Sequence, residues 1–170
     1  MNINLLTIIT CIFTILYISI LVIISRIDKK YLKMEKSVIS VGIILSIVYM
    51  IYMYIIKESS LKASIIYLGI YIILITLDTF IVKRYAENSY TTGILMLFNI
   101  MLVFTGINIF TYTIILTALE ILFYLIIGKI KQKNNGNKKV KLSDVPVGYF
   151  LCIGNILVVV AVSIIKIYIR

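Results

Sequence analysis

Long apolar stretches separated by short polar ones dominate the 170-residue chain. About 20 consecutive apolar residues carry an α-helix across the hydrocarbon core of a bilayer. Six stretches come near that length, at 3–25, 38–56, 63–82, 90–105, 108–128 and 147–168. The pattern predicts an all-α polytopic membrane protein, with residues 1–170 forming a single domain of six transmembrane helices. A spanning β-barrel would instead show shorter segments of alternating character. The fourth stretch is short and begins with the polar run Asn88-Ser89-Tyr90-Thr91-Thr92-Gly93, which leaves a re-entrant or cavity-lining course open. Only Gly106 and Asn108 separate the fourth stretch from the fifth, which predicts a tight hairpin there.

Composition supports the same class. The chain is 62% hydrophobic, with a mean hydropathy of +1.11. A water-soluble domain needs a polar shell, whereas a lipid-facing bundle can be apolar all round. Charge then orients the bundle. Of the 17 Lys and Arg, 13 fall in three alternate loops: Arg26, Lys29, Lys30, Lys33 and Lys36; Lys83 and Arg84; and Lys129, Lys131, Lys133, Lys138, Lys139 and Lys141. By the positive-inside rule these loops are cytoplasmic, the last of them the basic loop 129–144, and both termini lie outside. The net charge of +10 then reads as a topology signal and an attraction to anionic membrane lipids, not as a nucleic-acid surface. No Lys or Arg precedes the first apolar run, which suits an N-out anchor better than a cleaved signal.

Chemistry is sparse. The chain has no His, which removes imidazole acid–base chemistry and nearly all zinc-site patterns, so no metal or cofactor is expected. Cys11 and Cys152 read as small packing residues inside helices. Seven carboxylates remain: Asp28, Glu35, Glu58, Asp78, Glu87, Glu120 and Asp144. Asp28 follows the first helix between Arg26 and Lys29, where it is either a solvated loop charge or a functional group. Asp78 lies inside the third stretch, where a charge costs roughly 2.5–3.5 kcal/mol at the centre and less near the edge. It either pairs with Lys83 or Arg84 or faces the bundle interior. Glu120 sits mid-helix in the fifth stretch and is expected to contact Thr113 or Thr117 one turn away. Asp144 is placed to cap the last helix.

Pro146 is the single proline and opens that helix, where its missing N–H leaves no bond unmade. Gly148 permits close helix approach, in contrast to Gly42, which reads as lipid-facing. The run Val145-Pro146-Val147-Gly148-Tyr149-Phe150-Leu151, with Gly154 after it, resembles the I-P-F-G-P-F-L-A-L-G signature of type IV prepilin peptidases. Tyr149 replaces that signature's second proline. Ile27 to Lys36 is similar to the family's I-D-x-x-x-x-x-I-P-D/N stretch, with Glu35 at the proline.

The resemblance implies an aspartic endopeptidase of the bacterial cytoplasmic membrane that removes leader peptides from pilin-like precursors. In it Asp28 takes the place of the first catalytic aspartate. Two neighbouring carboxylates sharing a proton supply such a mechanism. The family's second aspartate lies in G-x-G-D-x-K-L, where this chain places Thr92, followed by Ile94 at the lysine. Asp78 is the alternative partner, and Glu87 a further one. The readings are therefore an active peptidase, a non-catalytic relative that binds hydrophobic helices or assists pilus or secretion assembly, and, apart from the resemblance, a small transporter subunit.

Overall fold

The computed structural model describes residues 5–56, 65–66, 69–70, 72–73, 76, 89–135 and 145–168. They contain four long helices: α1 (Leu5–Tyr31), α2 (Lys36–Ile55), α3 (Ser89–Asn135) and α4 (Val147–Tyr168). All four are long and apolar enough to cross a membrane, and the chain is an all-α integral membrane protein. Six separate helices are not what these residues form. The expected fourth and fifth helices are the two arms of α3, on either side of a break at Gly106. Most of the expected third, 63–82, lies outside the described residues.

α3 is too long for one crossing. Its 47 residues would reach about 70 Å if straight, more than twice the hydrocarbon core. Gly106 breaks it, with φ 73° and ψ 168°, a backbone conformation that glycine adopts without steric cost. Beyond it the helix turns back. The rings of Phe98 and Phe110 lie 5.8 Å apart, whereas a continuous helix would separate those positions by roughly 18 Å along its axis. Tyr90 and Tyr124 accordingly reach the same end of the bundle, both against the first turn of α4. The hairpin expected at Gly106 is therefore present, formed by arms 89–105 and 107–135.

Side-chain contacts fix the directions of the other helices. α1 runs antiparallel to α4, with Asp28 beside Tyr149 and Tyr17 beside Asn155. The first arm of α3 is antiparallel to α1, since Tyr90 meets Asp28 and Phe104 stacks on Tyr17 at 4.4 Å. α2 follows that arm from Ile39 beside Gly93 to Tyr49 stacked on Phe104. The second arm descends along α4 from Thr113 beside Asn155 to Tyr124 beside Phe150.

Leu21, Leu97, Ile100, Met101, Leu151 and Cys152 fill the centre, while Ile15, Ile44, Ile115 and Phe123 point outward. This outward apolar face suits lipid. Cys11 is exposed, so only Cys152 packs in the interior as expected.

Two backbone features shape the end that carries Asp28. α1 stops because Leu32 adopts a left-handed conformation, φ 49°, and its N–H closes back on the Asp28 carbonyl at 2.8 Å. That conformation costs a non-glycine residue roughly 1–2 kcal/mol. The sharp turn folds Met34 under the bundle, where it is 2% exposed and packs on Gly93 and Gly148.

Apolar surface gives helices little reason to associate in lipid, so close approach at small residues matters more. Gly42 illustrates this and corrects its assignment to the lipid face. It is buried, and a Cβ there would lie 2.7 Å from Ile100 Cδ1.

Gly42→Leu should therefore lower the melting temperature in detergent about as much as Gly148→Leu. Overpacking of this kind costs about 1–3 kcal/mol or more. Val41→Leu, at a position 56% exposed, should melt like the parent chain.

Candidate functional site

The site is built from the last turn of α1, the start of α3 and the first turn of α4. The first amides of a helix have no intrahelical acceptor, and their aligned dipoles favour a negative charge. In α4, Pro146 removes one such donor from the helix entrance. Tyr149 N–H donates instead to Asp28 Oδ2 at 2.8 Å. Asp28 is 0% exposed, so its carboxylate depends on donors supplied by the protein.

Tyr90 completes the arrangement. Its hydroxyl donates to the same Asp28 oxygen at 3.1 Å and accepts from Gly148 N–H at 3.4 Å. Gly148 makes the convergence possible. A Cβ at that position would lie 3.1 Å from Asp28 Oδ2 and would collide with Met34 Cε. On the outer side Lys29 Nζ sits 4.6 Å from the centre of the Tyr149 ring and donates to its hydroxyl at 3.3 Å. This cation–π contact ties the basic last turn of α1 to α4. Asp28 Oδ1 is buried and meets no hydrogen-bond partner among the described residues.

Asp28, Pro146 and Gly148 are thus brought together, and Asp28 is a buried group instead of a solvated loop charge. Thr92, the motif position opposite Asp28 in the resemblance, lies two residues beyond Tyr90 on the same helix. Residues two apart on a helix face different ways, and the residue of this helix that reaches Asp28 is Tyr90. The polar run 88–93 held that information, but nothing in its composition singled out the tyrosine. Asp78, Glu87 and Asp144 lie outside the described residues. Among the described residues, the carboxylate on the first-turn amides of α4 is that of Asp28.

A second polar group crosses the middle of the bundle. Tyr17 Oη donates to Asn155 Oδ1 at 2.6 Å, and Asn155 Nδ2 donates to Thr113 Oγ1 at 3.0 Å. Glu120 comes to the same flank of α4 as Thr113 and Thr117, facing Gly154. Glu120 is thus brought near the threonines it is expected to contact, but not through a hydrogen bond of its Oε2. Glu120 Oε2 and Thr117 Oγ1 are both buried without a partner among the described residues. Among the same residues no three His, Cys, Asp or Glu side chains gather into a metal site.

Tyr90→Phe should lower stability by about 1 kcal/mol, since it removes a donor to Asp28 and an acceptor for Gly148 N–H. Asp28→Ala should cost more, about 1–3 kcal/mol, by leaving the Tyr149 amide without an acceptor and the Tyr90 hydroxyl with no group to donate to. Thermal unfolding in detergent measures both, and the order Asp28→Ala below Tyr90→Phe below wild type is the expected result. Comparison with family models, curated proteins and solved structures gives no match for this chain.

Proposed function

We propose that the chain is a prepilin-peptidase-like protein of the bacterial cytoplasmic membrane whose Asp28 centre fastens the helix bundle and does not by itself hydrolyse peptides. The supporting observation is the 2.8 Å bond from Tyr149 N–H to Asp28, which joins positions 121 residues apart. These positions belong to the two segments similar to that family, and chance similarity gives them no reason to meet. The partners of Asp28 argue for fastening. Among the described residues it is held by a phenol and a backbone amide, and neither replaces the second carboxylate of an aspartic mechanism. The role that fits is that of a non-catalytic relative, holding a hydrophobic pilin-like helix or assisting assembly of a pilus or secretion apparatus.

One observation favours the active-enzyme reading. Asp28 Oδ1 is buried and open, a position that a second carboxylate such as Asp78 would fill by sharing a proton. In either case the Asp28 end is cytoplasmic, by the charge of the loops around it. α2 finishes at the opposite end from Ser89, and a return crossing at 63–82 would complete six spans with both termini outside.

Purified chain incubated with a pilin-like precursor should give no cleavage. Robust cleavage abolished by both Asp28→Asn and Asp78→Asn would establish the active reading instead. A cysteine introduced within 131–139 should react only with a cytoplasmic-side reagent, and one at Ser59 only from outside. The reverse labelling would remove both the orientation and the resemblance built on it.

A further inference from the structure

The polar atoms facing Gly154 are unlike the rest of the bundle interior. Thr113, Thr117 and Glu120 lie at spacings of four and three residues, hence on one face of the second arm of α3. That face looks at a glycine. A Cβ at Gly154 would lie 2.9 Å from Thr117 Oγ1, 3.7 Å from Glu120 Oε2 and 3.7 Å from the Thr113 carbonyl oxygen. Three oxygens of different kinds therefore surround the space that the missing side chain leaves.

Two of the three are unpaired. Thr117 is 4% exposed, and its hydroxyl, like Glu120 Oε2, is buried without a hydrogen-bond partner among the described residues. Gly154 is seven residues inside α4, about 10 Å from its start, so the group lies within the apolar layer. A carboxylate at such depth marks a functional site more often than a structural one. The neighbouring polar residues do not relieve it. Asn155 is engaged by Tyr17 and Thr113, and Thr113 Oγ1 also donates to the Ile109 carbonyl at 3.0 Å.

We propose that Glu120, Thr117 and the Thr113 carbonyl, gathered around Gly154, bind one alkali-metal cation. Carboxylate, hydroxyl and carbonyl oxygens are hard ligands, suited to cations that keep no preference for nitrogen or sulfur. A single carboxylate balances a single positive charge, which favours a monovalent over a divalent ion in a low-dielectric interior. The cation would satisfy the two unpaired oxygens together. The site is separate from the Asp28 centre and does not depend on its reading.

The test uses the full chain in detergent, with sodium, potassium and choline chlorides compared at equal ionic strength. Sodium or potassium should raise the melting temperature saturably relative to choline, and radioactive sodium or a potassium analogue should bind with a stoichiometry near one. Glu120→Gln, which keeps the shape and removes the charge, should melt independently of the cation. Gly154→Ala should weaken binding about tenfold or more by crowding Thr117, the loss expected for one displaced charge-assisted contact. Cation-independent melting together with absence of uptake in the parent chain would overturn the site. So would a cation effect that survives Glu120→Gln, or an infrared carboxylic-acid band showing that Glu120 holds only a proton throughout.

Discussion

The carboxylate of Asp28 at the first turn of α4 is the contact on which the lower half of the bundle depends. A helix entrance presents amides with no intrahelical acceptor, and where neighbouring helices cover them the protein must supply the partner. Asp28 has the reciprocal problem, a charge with no solvent. Each solves the other's difficulty, and Tyr149 N–H to Oδ2 at 2.8 Å is the bond that does so. Other features of this end follow from making room for it. Gly148 lacks the atom that would obstruct it, Leu32 turns the chain so that Met34 closes beneath it, and Tyr90 brings the hairpin of α3 into the same cluster.

The same constraint explains the middle of the bundle. Dispersion between apolar side chains is available equally from lipid, so specific association relies on small residues and interhelical hydrogen bonds. Gly42 and Gly93 let α2 and α3 approach, and the Tyr17–Asn155–Thr113 relay joins α1, α4 and α3. Against this background the unpaired atoms of Thr117 and Glu120 are exceptions. Fully buried Asn99, with neither amide atom paired among the described residues, is another.

Membrane character and the hairpin were legible because both depend on local patterns, apolar length in one case and Gly106 in the other. The fate of Gly42 was not legible. Whether a glycine faces lipid or a neighbouring helix depends on helix rotation, and an almost uniformly apolar segment such as Lys36–Ile55 carries little record of it. The site divides in the same way. Pro146 and Gly148 announced a helix entrance, and resemblance singled out Asp28. Tyr90 stayed hidden among Ser89, Thr91 and Thr92 because the choice among them is made by about 100° of rotation per residue.

Fastening and catalysis make opposing demands on Asp28. A catalytic aspartate must hold water and exchange a proton with a second acid, which requires an accessible oxygen. Here one oxygen is committed to Tyr149 and Tyr90, and the residue as a whole is 0% exposed. Opening the site to water would mean moving Met34 off Gly148 or withdrawing the start of α4. Either motion would expose the helix amides that Asp28 now satisfies. In this arrangement Oδ2 is held by Tyr149 and Tyr90, and Oδ1, unpaired among the described residues, is the oxygen left for a proton or a water.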